Sequence, residues 1–157
     1  MEPIRIVWGH ATGPTEMAAY DAALADAGVE NYNLVGVSSV VPAEATVELA
    51  GTAPDLGPVG NRLTVVEACA TATEPGHVSA GLAWATSPDG GLFYEAAGPT
   101  DEGDISERVR RGLAAGESLR DWTFDDPHVR VESASVEPGT YTTAVVLAVY
   151  GESEPIL

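Results

Sequence analysis

Apolar positions in this chain alternate or run together in short blocks, and only two stretches carry a helical period. Ile4-Arg5-Ile6-Val7-Trp8 reads as a first strand entering the turn-rich Gly9-His10-Ala11-Thr12-Gly13-Pro14. The alanine-rich span from Thr15 to Ala27 closes at Gly28, a good residue for leaving a helix. At 100° per residue Met17, Tyr20, Leu24 and Ala27 form one apolar arc; Asp21 falls at its margin and Asp26 on the opposite side. Tyr32 to Val41 then reads as a strand stopped by Pro42, followed by an irregular stretch, Pro42 to Asn61, punctuated by Pro54, Gly57, Pro58 and Gly60.

Leu63 to Thr73 and Val78 to Thr86 are strand-like runs joined by Glu74-Pro75-Gly76-His77, and Ser87-Pro88-Asp89-Gly90-Gly91 turns into Leu92 to Ala96. Asp104 has the form of an N-cap with Glu107 at the third helical position, starting a helix through about Trp122 in which Gly112 and Gly116 permit close packing on a sheet. Val129 to Val136 and Thr140 to Tyr150, joined by Glu137-Pro138-Gly139, read as a hairpin, with a loose tail from Gly151. This order predicts a single α+β domain over 1–157, a layered αββα-type sandwich with mainly antiparallel sheets.

Charge narrows the function classes. Twenty-four acidic residues face seven basic ones, all arginine, for a formal net charge of −17. Phosphate backbones need Lys and Arg, so a nucleic-acid partner is excluded. A chain this acidic with a 45% hydrophobic content resembles proteins of halophilic microorganisms rather than a disordered acidic tail. No apolar run is long enough for a membrane span, and the amino terminus has no secretory pattern, so a cytoplasmic protein is expected. The single Cys69 sits in an apolar run as a packed thiol; His10, His77 and His128 lack metal-ligand spacing, and no metal site is expected.

The unusual chemistry is at Ser38-Ser39, two adjacent hydroxyls inside the run Asn33-Leu34-Val35-Gly36-Val37-Ser38-Ser39-Val40-Val41-Pro42. Local hydrogen bonding to the backbone is the ordinary explanation. A nucleophilic triad is not favoured, because no G-x-S-x-G elbow surrounds either serine.

The stretch GHATGPTEMAAYDAALADAGVENYNLVGVSSVVP, from Gly9 to Pro42, resembles the amino-terminal signature of the pyruvoyl-dependent arginine decarboxylases. Gly91-Leu92-Phe93-Tyr94-Glu95-Ala96-Ala97-Gly98 is similar to that family's second landmark, an apolar strand ending in Glu. The resemblance implies self-cleavage between Ser38 and Ser39. The Ser39 hydroxyl attacks the Ser38 carbonyl, the amide becomes an ester, β-elimination splits the chain, and hydrolysis leaves a pyruvoyl group on residue 39. It implies an enzyme that captures arginine as a Schiff base and releases CO₂ and agmatine, a precursor for polyamines or tRNA modification. In that reading Ser39 supplies the covalent pyruvoyl cofactor, Glu95 returns the proton, Asn33 hydrogen-bonds in the site, Asp21 meets the guanidinium and Met17 lines the aliphatic part. A trimer of processed units, with sites between subunits, is implied as well. Two alternatives stay open on the residues alone: a pyruvoyl decarboxylase for another amino acid, and an uncleaved paralogue serving as a binding or assembly subunit.

Overall fold

The computed structural model describes residues 1–157. Nine strands and two helices follow in the order β1 (Ile4–Gly13), α1 (Glu16–Ala27), β2 (Asn33–Gly36), β3 (Val40–Val41), β4 (Val47–Gly51), β5 (Arg62–Ala72), β6 (His77–Ser87), β7 (Gly90–Gly98), α2 (Glu102–Glu117), β8 (His128–Ser135) and β9 (Tyr141–Tyr150). One sheet has the order β2-β5-β9-β1-β4 and the other β3-β7-β6-β8. Pairing is antiparallel except for β1 with β4 and β2 with β5. The expected α+β sandwich is what forms.

Its layers are visible in three apolar clusters. Ile4, Ile6, Val66, Ala68, Leu82, Trp84, Phe93, Val146 and their neighbours fill the space between the sheets. Val7, Val65, Val145, Leu147 and Val149 point the other way, against Ala23, Leu24 and Ala27 of α1. Ala83, Ala85 and Leu92 meet Ile105, Val109 and Leu113 of α2. Alternation of side chains along a strand sends each set to its own layer. β9 is central and covered on both faces, so its run from Thr142 to Val149 is buried throughout.

Helix α1 begins on Thr15, whose hydroxyl accepts from Ala18 N at 3.0 Å, and ends at Gly28 with φ +81°. Its buried stripe is Ala19, Ala23, Leu24 and Ala27, whereas Met17 is 72% exposed; the arc drawn from the larger residues is rotated. Small residues win because the helix lies close on β1. A Cβ on Gly13 would sit 2.5 Å from Ala19 N, and one on Gly9 2.7 Å from Ala23 O. Helix α2 is capped by Asp101, which accepts from Asp104 N at 2.9 Å, three residues before the expected cap, and it ends at Glu117 rather than near Trp122.

Other expectations are also corrected. The Tyr32–Val41 run is two strands in different sheets. The 42–61 stretch contains an edge strand, β4, parallel to β1. β8 and β9 do not form a hairpin: Glu137-Pro138-Gly139 carries the chain from one sheet to the other, as Glu74-Pro75-Gly76 does between β5 and β6. The tail is pinned, since Arg62 and Glu154 exchange backbone bonds of 2.8 and 2.9 Å and Ser153 N reaches Leu56 O at 3.0 Å.

Between α1 and β5 the Tyr20 hydroxyl donates to Glu67 Oε2 at 2.7 Å. Burial lifts the Glu67 carboxyl above its ordinary range, against the lowering effect of that hydrogen bond, and burial with the Glu67 partner lifts the tyrosine too. Burial also pushes the Cys69 thiol up to about 12, with the Glu67 and Glu16 charges adding, so it stays an unreactive thiol as expected.

Two outcomes follow. Gly13→Ala should lower stability by roughly 1–3 kcal/mol, read as a fall in thermal midpoint, because backbone atoms of α1 must give way. A carboxyl whose folded pKa is raised stabilises the native state below the unfolded value of about 4.3 and loses that contribution as pH rises through the folded value. The thermal midpoint of Glu67→Gln should therefore gain on the parent as pH rises through this window, then run parallel above it; a pH-independent difference would remove Glu67 from the linkage.

Candidate active site

The serine pair lies where the chain changes sheets. Val37 N donates to Val65 O at 3.0 Å, the last backbone bond to the first sheet, and Phe93 N donates to Ser39 O at 2.8 Å, the first backbone bond to the second. Ser38 stands between these anchors, exposed, and Ser39 is half-buried. The Ser38–Ser39 peptide therefore lies outside both ladders while the backbone is held on either side of it. The expectation of hydroxyls inside a strand gives way to hydroxyls on a crossing between the sheets.

β7 supplies the partner. Glu95 lies on the same strand face as Phe93, which packs between the sheets, but past the short β3, which covers the edge of β7 only at Gly91 and Leu92, and its carboxylate is exposed. Ser39 Oγ donates to Glu95 Oε2 at 3.1 Å. β3 is fixed from the other sheet by Tyr150, whose hydroxyl donates to Val40 O at 3.1 Å and whose ring tilts against Phe93. Burial pushes the Tyr150 pKa up to about 12, so it remains a donor.

A groove of about 250 Å³ runs along the serines, lined among others by Ser38, Ser39, Phe93, Tyr94, Leu113 and Arg120. Beside it a second groove, of about 380 Å³, is lined by Tyr94, Glu95, Arg108 and Arg111. Gly112 borders both, and any Cβ there would fall 2.2 Å from the Tyr94 ring. Arg108 and Arg111 are paired at 3.7 and 3.2 Å with Asp104 and Glu107, the local pairing that helical spacing suggests. Arg120 gives one nitrogen to Gly116 O at 2.9 Å and lies over Trp122 at 5.5 Å, so it is the cation of the serine groove. Tyr94, Tyr150 and Arg120 were not legible as site residues, because their place depends on which strands become neighbours.

The remaining expected site residues are not gathered by this chain. Asn33 starts β2 but gives its amide to Gly60 O at 2.8 Å. Asp21 and Met17 are exposed on α1, and the Asp21 carboxylate has no hydrogen bond or ion pair. The nearest link runs through Tyr20 to Glu67, two residues beyond Val65 on β5. A pyruvoyl group formed from Ser39 fits the surroundings: residue 39 is held through its own carbonyl, the side chain of the precursor serine faces a carboxyl, and its peptide to Ser38 is free of the ladders.

The sequence model of the family described as Pyruvoyl-dependent arginine decarboxylase matches residues 3–155. A protein of that name from Halobacterium salinarum (strain ATCC 29341 / DSM 671 / R1) is 57% identical over 158 residues, 99% of this chain and 98% of its own length. One from Pyrococcus abyssi is 35% identical over 147 residues, 89% and 90% of the two chains. A solved pyruvoyl-dependent histidine decarboxylase is similar at 19% identity with a TM-score of 0.46, over 89% of this chain and 63% of that one. No helix here is long and apolar enough to cross a membrane. Matched from Pro3 to Pro155, with its Ser-Ser pair in hydrogen-bond contact with Glu95, which lies within β7 rather than at the strand end expected from sequence, the chain belongs to the pyruvoyl-dependent arginine decarboxylase family.

Proposed function

We propose that the chain cuts itself between Ser38 and Ser39 and, with the pyruvoyl group so formed, decarboxylates L-arginine to agmatine. The observation that carries this reading is the Ser39 hydroxyl donated to Glu95 at 3.1 Å beside a peptide held outside both sheets. In the precursor, Glu95 is positioned to take the hydroxyl proton as Ser39 Oγ turns on the Ser38 carbonyl.

The pyruvoyl carbonyl supplies the electrophile for the substrate's α-amine and the sink for the electrons left when CO₂ departs. The chain's own residues do the rest. Glu95 stands beside residue 39 to return a proton to the substrate carbon. Asp21 offers a planar, bidentate partner to a guanidinium, Met17 packs along the methylenes, and Asn33 hydrogen-bonds in the site near the cofactor.

Asp21 and Met17 reach the site of a neighbouring copy in a trimer of processed units. Val35, Val37 and Val40, 43%, 42% and 48% exposed around the serines, fit burial against such a neighbour, which dries the site as it closes. The lone unreactive thiol fits a reducing, cytoplasmic setting.

Intact mass spectrometry of fresh protein should show two chains, residues 1–38 and 39–157, and Ser39→Ala a single species of 16.2 kDa. Cleavage that persists in Ser39→Ala would sink the assignment of the nucleophile. Asp21→Ala should still be cleaved but lose roughly 30-fold or more in kcat/KM for arginine, equivalent to about 2 kcal/mol. Unchanged preference for arginine over uncharged amino acids in that variant would remove Asp21 from the pocket.

A further inference from the structure

At the opposite edge of the sandwich from the serines, three side chains distant in sequence converge. β1 pairs with β4 only as far as Val7, so beyond it the outer edge of β1 has no strand partner. Asp26 reaches round from α1 to cover part of that edge, and its Oδ2 accepts from His10 N at 3.0 Å. The His10 ring lies on the inter-sheet face of β1, toward β8 of the other sheet, where its Nδ1 is 2.9 Å from Glu132 Oε2. One ligand atom from each of His10, Asp26 and Glu132 lies within 4.8 Å of the other two.

We propose that His10, Asp26 and Glu132 bind a divalent transition-metal ion of the Zn²⁺ or Co²⁺ type, with water completing its coordination. One imidazole nitrogen and two carboxylate oxygens are the donor set such ions take at about 2.0–2.2 Å, a reach that a spread of this size meets with small side-chain rotations. A nitrogen donor disfavours Mg²⁺ and Ca²⁺, which prefer oxygen throughout.

The groups behind the ligands hold them for this purpose. Arg130 binds Glu132 Oε1 at 3.1 Å and lies 3.8 Å over the Trp8 ring, so the carboxylate is oriented with Oε2 turned to His10. The Glu132 side chain is only 14% exposed, which fixes its direction further. The His10 N–H does the same for Asp26 by occupying one oxygen and leaving Oδ1. Metal ligands are commonly oriented through such outer hydrogen bonds. Two carboxylates against the one Arg130 leave negative charge for the ion to neutralise. The ion would tie α1, β1 and β8 together, one outer layer and both sheets, without touching Ser38, Ser39 or Glu95.

The test uses the processed protein in molar KCl with excess Mg²⁺, which suppresses diffuse binding to surface carboxylates. Co²⁺ titration followed by visible absorption, and Zn²⁺ titration by calorimetry, should each saturate at one ion per chain and raise the thermal midpoint. His10→Ala and Glu132→Gln should abolish the saturable step and the rise, with Ser38–Ser39 cleavage unchanged. Asp26→Asn, which keeps an acceptor for His10 N, should weaken binding at least tenfold while remaining folded by circular dichroism. The absence of a saturable Co²⁺ band, leaving only a histidine–carboxylate pair, overturns the proposal. So does a band that survives in His10→Ala.

Discussion

β9 has no solvent face. Its side chains from Thr142 to Val149 are buried alternately against α1 and against the second sheet, and neither cover can be removed without exposing a row of valine, leucine and alanine. That constraint stacks the layers, and stacked sheets must be joined by segments that leave one and enter the other. The chain makes such crossings at Ser38 and at residues 42–46, and again at Glu74-Pro75-Gly76 and at Glu137-Pro138-Gly139. The latter two are turns with proline and glycine; the first has serines, and its flanks are fixed by backbone bonds from Val37 and to Phe93. A crossing is a place where a peptide bond has no ladder partner, so chemistry there disrupts little of the core.

The chemistry at that crossing draws on the sheet edge beside it. Alternation along β7 puts Phe93 into the inter-sheet core and Glu95 two residues later on the same face, past the point where β3 stops covering the strand edge. Phe93 also carries the backbone N–H that anchors Ser39 O. One strand therefore sets both the position of residue 39 and the carboxyl that faces its hydroxyl. The glycine at 112 lets the exposed Tyr94 ring lie flush on α2, which shapes the two grooves on either side.

What was legible in the sequence was local. Strand period, the alanine-rich span from Thr15 and the Gly28 exit mark the elements, and Ser38, Ser39 and Glu95 were identifiable from a family pattern. Which sheet a strand joins was not legible, because Tyr32–Val41 has the same apolar character whether it is one strand or two. Likewise Glu-Pro-Gly serves a hairpin and a sheet crossing equally well. Asp101 and Asp104 each stand three residues before an acidic residue, so spacing did not separate the two caps, and the packing of Ile105, Val109 and Leu113 decides between them. The meeting of His10, Asp26 and Glu132 was invisible for the same reason: the three lie on β1, α1 and β8, and only the layer order makes them neighbours.

The net charge of −17 suggests attraction of a cationic substrate, but its physical reach is short where such a composition is useful. At molar salt the screening length is about 3 Å, close to contact distance. Diffuse attraction then contributes little to choosing arginine over other amino acids, and discrimination falls to groups that touch the guanidinium after water has left. An exposed carboxylate such as Asp21 does this poorly while it remains solvated, since its ion pair is weakened by water and salt alike. In the proposed assembly the same carboxylate would lie under a neighbouring chain, beside the apolar Val35, Val37 and Val40, where a lower dielectric would give it strength and direction together. Selectivity and assembly are on this account one property of the serine edge.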